Sequence, residues 1–175
     1  MKIRTRLIVT LAAAAAMLFG STGVASAETI GIGMAVRLQP PRVVTITQGS
    51  GPLFLDAHEI AERDFNVVTR PVQNNTTQQW LLTDVGGGLY TIQQVSSWRY
   101  LDAHEIASLD YRVVTRPQQN NSTQLWRLYD YGGAFYMIQQ VSSGRYLDAY
   151  ISSAQDFQAV TRPYTGANSQ VWRIL

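Results

Sequence analysis

Tyr100-Leu101-Asp102-Ala103-His104, followed by Gln124-Leu125-Trp126, forms the centre of a unit that the chain repeats three times, from Val44 to Leu175, at a spacing of 46 residues. The equivalent stretches are Phe54 to His58 and Gln78 to Trp80 in the first copy, and Tyr146 to Tyr150 and Gln170 to Trp172 in the third. A single unit of this size cannot bury its own apolar face, so the three copies must share one core.

The residues before the repeat have the pattern of a secretory signal. Basic residues precede the apolar run from Leu7 to Phe19, and Ala25-Ser26-Ala27 supplies the small residues that a signal peptidase reads. The apolar run is too short to be a membrane-spanning helix. We therefore predict a signal peptide over residues 1–27, an extended arm or barrel-edge strand over residues 28–43, and a secreted (extracellular or periplasmic) domain over residues 44–175.

Charge and composition argue against several classes of function. The chain has 14 Lys and Arg and 12 Asp and Glu residues, and three of the basic residues precede residue 28, so 11 basic and 12 acidic residues remain. A nearly neutral chain offers no broad basic surface for nucleic acid or for an anionic membrane. Cysteine is absent and there are only two histidines, so we expect no disulfide, no metal site and no cofactor.

Short runs rich in aromatic and β-branched residues alternate with turn residues in every copy. In the middle copy these runs are residues 90–95, 99–104, 112–116 and 123–129. Four strands in each of three copies predict an all-β, closed architecture of twelve strands. We interpret the copies, residues 44–89, 90–135 and 136–175, as the three modules of a β-trefoil with pseudo-threefold symmetry. In that fold six strands form a barrel and six form hairpins that cap one end.

The Gln-x-Trp triplets support this interpretation. Each tryptophan should lie in the shared core, where burial of its ring is most stabilising, and each first glutamine can pair with backbone groups of a tight turn. Leu-Asp followed 22 residues later by Gln-x-Trp, three times over, resembles the ricin-type (ricin B-like) β-trefoil lectin family. The resemblance implies sugar binding at up to three shallow pockets. Each would use an aspartate early in the copy, an aromatic platform in the middle and amides near the end.

Each copy supplies an aspartate, a flat ring two residues later, an arginine in the middle and an asparagine near the end. These candidate carbohydrate-binding residues are Asp56, His58, Arg70 and Asn75 in the first copy, Asp102, His104, Arg116 and Asn121 in the second, and Asp148, Tyr150, Arg162 and Asn168 in the third. The alternative roles are hairpin capping for the aspartates, space filling for the rings and turn formation for the asparagines. The third asparagine is displaced by one position, so the third pocket can differ in specificity or be silent.

The arginines depart from the family pattern, because the resemblance implies a sugar-stacking aromatic residue near their position. A planar guanidinium can lie along a sugar ring or bind a carboxylate or sulfate with two hydrogen bonds, which would favour sialylated, uronic or sulfated glycans. The alternative is an internal ion pair with the aspartate of the same copy.

Two functions from different classes fit these residues. The first is a secreted lectin with up to three weak sites that act together on clustered glycans, without catalysis, because the sequence contains no recognisable catalytic constellation. The second is a secreted β-trefoil that binds a protein target through its loops, as an inhibitor or a toxin-like factor. The sequence does not indicate the oligomeric state.

Overall fold

The computed structural model describes residues 39–175, and this part of the chain contains thirteen β-strands and six short 3-10 turns. The strands are β1 Arg42–Val44, β2 Ile46–Gln48, β3 Phe54–Ala57, β4 Val67–Arg70, β5 Trp80–Gly86, β6 Leu89–Gln94, β7 Tyr100–Ala103, β8 Val113–Arg116, β9 Trp126–Gly132, β10 Phe135–Gln140, β11 Tyr146–Ala149, β12 Ala159–Arg162 and β13 Trp172–Ile174. The turns are Ala61–Arg63, Thr76–Gln78, Ala107–Leu109, Ser122–Gln124, Ser153–Gln155 and Asn168–Gln170.

A barrel of antiparallel strands closes through the start of the domain. The hairpins β5–β6 and β9–β10 pair with each other through β6 and β9, and β10 pairs with β13. The barrel closes because β1 pairs with β5 while β2 pairs with β13. Strands β1 and β2 are one barrel strand interrupted at Thr45, which exchanges backbone hydrogen bonds of 2.8 and 3.0 Å with Leu175. This interruption explains why thirteen strands are present where the repeat predicts twelve.

Three further hairpins, β3–β4, β7–β8 and β11–β12, form the cap. Each hairpin is bridged, through its buried valine, to the preceding copy in the ring. The bridged pairs are Asn66 with Val114, Arg112 with Val160, and Gln158 with Val68. Six barrel strands and a triangular cap of three hairpins constitute the β-trefoil, so the predicted fold is confirmed.

The core has the predicted tryptophans at its centre. Trp80, Trp126 and Trp172 are fully buried, and each donates its indole N–H to a strand carbonyl at 3.0 Å. The first glutamine of each triplet is also buried and holds the loop before it. In the second copy Gln124 donates to the carbonyl of Pro117 at 2.9 Å and accepts the backbone N–H of Gln119 at 2.8 Å. The predicted roles of both residues are therefore confirmed.

Several predicted boundaries differ from the structure, most of them by one residue. The strand expected over residues 123–129 begins at Trp126, because Ser122–Gln124 forms a 3-10 turn that positions the glutamine. Residues 42 and 43, which the sequence assigned to an arm, belong to β1 in the barrel. The rest of that arm up to residue 38, and the predicted signal peptide, lie outside the described residues. No helix within residues 39–175 has the length and apolarity needed to cross a membrane.

Candidate functional site

Two equivalent pockets lie beside the cap hairpins of the first and second copies, with volumes of about 270 and 260 Å³. The first lies between the β3–β4 hairpin and the turn Thr76–Gln78, and the second between β7–β8 and Ser122–Gln124. Each gathers the four predicted residues of its own copy, which are Asp56, His58, Arg70 and Asn75 in the first pocket and Asp102, His104, Arg116 and Asn121 in the second.

The three equivalent aspartates are more deeply buried than a strand-end position suggests, with 5 to 6% of their surface exposed. One carboxylate oxygen, Oδ1, accepts the backbone N–H of the following alanine at 2.7 to 2.8 Å in every copy. The capping role is therefore present. In Asp56 and Asp102, Oδ2 makes no hydrogen bond within residues 39–175 and is not fully enclosed, so one charged acceptor faces each pocket.

The pocket arginines do not pair with the aspartate of their own copy, so the sequence interpretation of that ion pair is wrong. Each pairs instead with a second aspartate carried by a neighbouring copy. The contacts are Arg70 Nη2 to Asp156 Oδ1 at 2.7 Å, Arg116 Nη2 to Asp64 Oδ1 at 2.8 Å, and Arg162 Nη2 to Asp110 Oδ2 at 3.3 Å. Because the hairpins pack in a ring around the axis, each arginine lies closer to the loop of the preceding copy than to its own aspartate.

The flat rings contact the same neighbouring aspartates. His104 Nε2 lies 2.7 Å from Asp64 Oδ2, and the hydroxyl of Tyr150 donates to Asp110 Oδ2 at 2.7 Å. A carboxylate only accepts hydrogen bonds, so the His104 contact needs a hydrogen on Nε2. Burial raises the pKa of Asp64, but hydrogen bonds from His104 and Arg116 outweigh it and hold that pKa below 3.8. The ring edges are thus held in place, and the His58 and His104 rings line the two pockets.

Sequence reasoning missed these second aspartates, Asp64, Asp110 and Asp156. All three have a left-handed backbone, with φ between 51° and 54°, and so does the aromatic residue that follows each of them. This paired turn carries the carboxylate across to the next copy, where the aromatic ring packs under a guanidinium in two copies. The distances are 3.7 Å from Arg99 to the Phe65 ring and 3.6 Å from Arg145 to the Tyr111 ring. The spacing of 46 residues between the aspartates was the available signal.

The amides distinguish the third copy from the other two. In the first pocket the Asn75 side chain donates to Gln73 at 3.0 Å and accepts from Thr77 at 2.7 Å, and the second pocket has the same arrangement. In the third copy Ala167 stands at the equivalent position, while Asn168 begins a 3-10 turn. Asn168 therefore does not take the place of the other two asparagines, and the third copy lacks their fixed amide.

One family model matches part of the chain. Residues 76–161 match the family model described as ricin-type beta-trefoil lectin domain-like. No curated protein matches the chain. Within residues 39–175, no group of three or more His, Asp or Glu side chains is arranged to hold a metal ion.

Solved structures share the fold. A designed threefold-symmetric protein, ThreeFoil, matches with a TM-score of 0.69 and 25% identity, covering 76% of this chain and 97% of its own. A ricin B-like lectin from Macrolepiota procera, in complex with lactose, matches at 0.61 and 18% identity over 76% of this chain and 94% of the lectin. A Polyporus squamosus lectin, bound to a human-type influenza-binding epitope, matches at 0.66 and 18% identity over 78% of this chain and 49% of its own.

Proposed function

We propose that this chain, which belongs to the ricin-type β-trefoil lectin-like family, binds carbohydrate at its first and second pockets and acts by binding, without catalysis. The observation that carries the proposal is the free carboxylate oxygen of Asp56 and of Asp102. Each faces a small open pocket that also holds an anchored asparagine and a flat ring.

The two pockets have the chemistry that a sugar requires. A sugar hydroxyl can donate to the aspartate Oδ2, and a hydrogen bond to an ionised acceptor is stronger than one between neutral groups. The next hydroxyl can meet the Asn75 or Asn121 amide, whose orientation its neighbours fix. The face of the His58 or His104 ring offers a flat surface for the apolar C–H face of the sugar. The same positions in the third copy lack the amide, so we expect that site to be weak or silent.

Neutral sugars fit these pockets better than acidic ones. The charges of Arg70 and Arg116 are already compensated by Asp156 and Asp64. The unpaired charge that faces each pocket is therefore the aspartate, which repels a sialate, uronate or sulfate. The arginines mainly line the pockets. We therefore do not propose the preference for acidic glycans that these arginines suggest in the sequence.

Export and multivalency complete the proposal. The amino-terminal sequence favours export to the extracellular or periplasmic space. A shallow pocket that binds one sugar at about millimolar affinity supplies only about −4 kcal/mol. Two such pockets on one rigid body gain through effective concentration when they meet a clustered glycan on a glycoprotein, a glycolipid or a polysaccharide.

The test replaces the pocket acceptor without changing its shape. Asp56→Asn and Asp102→Asn keep an oxygen for the alanine N–H but turn the pocket-facing acceptor into a donor. The matched control is Asp130→Asn, because Asp130 accepts the N–H of Gly132 at 2.7 Å in a turn outside both pockets. Thermal unfolding should verify that all three variants fold.

Binding is measured on an array of neutral and acidic glycans. We expect the wild type and the Asp130 variant to bind neutral glycans on the array. Each single variant should weaken binding at its own pocket about tenfold or more, as loss of a hydrogen bond to a charged group predicts, and the double variant should abolish binding at both pockets. Unchanged binding in the folded double variant, or no retained glycan at all, would contradict the proposal. The second result would favour a protein target.

A further inference from the structure

A larger pocket, of about 500 Å³, lies away from the two sugar pockets, where the cap hairpins of the second and third copies meet. Its walls include Ser108, Asp110 and Arg112 from the second copy. From the third copy they include Ser153, Gln155, Asp156 and Gln158.

Arg112 is the unusual member of this pocket. Its guanidinium makes no hydrogen bond and no ion pair within residues 39–175, and its Nε is enclosed without a partner. A partly buried cation without a counter-charge is unfavourable, because it has lost hydration and gained nothing in return. A group of opposite charge in the pocket would compensate it.

The acidic residues of the pocket cannot provide that compensation. Asp110 accepts from the Tyr150 hydroxyl and pairs with Arg162. Asp156 is shared by two guanidiniums, since Arg70 lies 2.7 Å and Arg63 3.2 Å from its oxygens. Two acidic groups thus face three paired arginines, and Arg112 adds to this positive excess.

Neutral side chains that can donate hydrogen bonds share the pocket with Arg112. The side chains of Ser108, Ser153, Gln155 and Gln158 line the pocket and make no hydrogen bond within residues 39–175. A pocket with one unpaired guanidinium and four uncommitted neutral side chains that can donate favours a ligand with several acceptor oxygens and a negative charge.

The sequences of the three copies differ at these positions, and the donors occur together only between the second and third copies. At the position of Ser153 the other copies have Ala61 and Ala107, and at the position of Ser108 the first copy has Glu62. Arg112 is replaced by Asn66 in the first copy and by Gln158 in the third. The gap between the second and third copies therefore differs in chemistry from the other two.

We propose that this cap pocket is an oxyanion site, which binds a carboxylate or sulfate group through Arg112 with support from the neighbouring hydroxyl and amide donors. It is separate from the sugar pockets and does not depend on the function proposed for them. Two sources carry the same chemistry, a free inorganic anion and an acidic sugar.

The test titrates the ¹⁵N-labelled protein with sodium sulfate and, separately, with sodium glucuronate, against sodium chloride at equal ionic strength. The resonances to follow are the arginine Nε–H groups and the backbone amides of the cap. We expect saturable shifts at Arg112 and at the loop Ser153–Gln155. Saturation by sulfate indicates that the oxyanion group suffices, while saturation by glucuronate alone indicates that the sugar ring also contributes.

Three variants make the result specific. Arg112→Gln should weaken binding at least about tenfold, while Arg127→Gln, at an exposed position on β9, should leave it unchanged. Ser153→Ala introduces the residue that the other two copies carry, so it should fold and weaken binding by a smaller factor. The Asp56→Asn/Asp102→Asn double variant should bind the anion as the wild type does. The proposal is overturned if neither anion gives a saturable shift, or if Arg112→Gln binds as tightly as the wild type.

Discussion

Replacing Gly51 by serine should stabilise the protein, because it supplies a hydrogen bond that two copies have and the first copy lacks. In the second copy the buried amide oxygen of Gln94 accepts from the Ser97 hydroxyl, and the third copy repeats this contact at 2.6 Å. In the first copy the equivalent oxygen of Gln48 is enclosed without a partner. Gly51 stands 46 residues before Ser97, where a hydroxyl would be needed.

The site can accept the new side chain. A Cβ at Gly51 meets no atom within 4 Å, and Gly51 is not among the glycines with positive φ. Pairing a buried acceptor that is otherwise unsatisfied is worth about 1–3 kcal/mol. Reducing the freedom of the unfolded chain at a glycine adds about 0.4–1 kcal/mol. We therefore expect Gly51→Ser to raise the free energy of unfolding by about 1–3 kcal/mol overall, allowing for imperfect geometry.

Urea unfolding followed by tryptophan fluorescence measures this difference. Gly51→Ala is the matched control, because it carries the backbone effect without the hydroxyl. Ser97→Ala is the reverse experiment. It should lower the free energy of unfolding by about as much as the added hydroxyl raises it in Gly51→Ser. If Gly51→Ser is no more stable than Gly51→Ala while Ser97→Ala costs nothing, the hydroxyl–amide bond does not contribute as we infer.

Two further perturbations probe the core and the contacts between copies. Trp126→Phe should lower the free energy of unfolding in urea by about 2–4 kcal/mol, because it creates a small cavity and removes the hydrogen-bond donor of the buried Leu101 carbonyl. A decrease of less than about 1 kcal/mol would contradict this role. The depressed pKa of Asp64 stabilises the fold fully above its unfolded value near 3.8, and this stabilisation is lost as the pH falls through the lower folded value. Between about pH 5 and pH 2, the free energy of unfolding should therefore fall less in Asp64→Asn than in the wild type. If the free energies of unfolding of the two proteins fall in parallel over this pH range, the contact with His104 and Arg116 does not stabilise the fold.

The architecture could be predicted from the sequence because it depends on periodicity. A tryptophan that recurs every 46 residues beside alternating apolar residues must point to a shared interior, and it does so at Trp80, Trp126 and Trp172. The residues of the first two pockets could be predicted for a related reason. They lie within one copy, on a hairpin and on the turn that packs beside it, so spacing along the chain is enough to gather them.

The ion pairs could not be predicted in the same way, because spacing within a copy does not say how far neighbouring copies rotate about the axis. Arg70 lies 14 residues after Asp56 and 86 before Asp156, yet it pairs with the more distant residue. The choice depends on the left-handed turn at Asp156, which directs its carboxylate towards the next copy. The prediction for Asn168 was wrong for a local reason. All three loops begin their 3-10 turn at the same position of the repeat, and Asn168 stands at that position, one residue after the place that Asn75 and Asn121 occupy.

These contacts between copies imply that no copy forms a complete pocket by itself. The first pocket needs Asp156 from the third copy to neutralise Arg70, and without it an uncompensated guanidinium would lie in the pocket beside Asp56. The same Asp156 lines the pocket that contains Arg112. One carboxylate thus adjoins both kinds of site. Closure of the ring of copies is therefore a requirement of the sites as well as of the core.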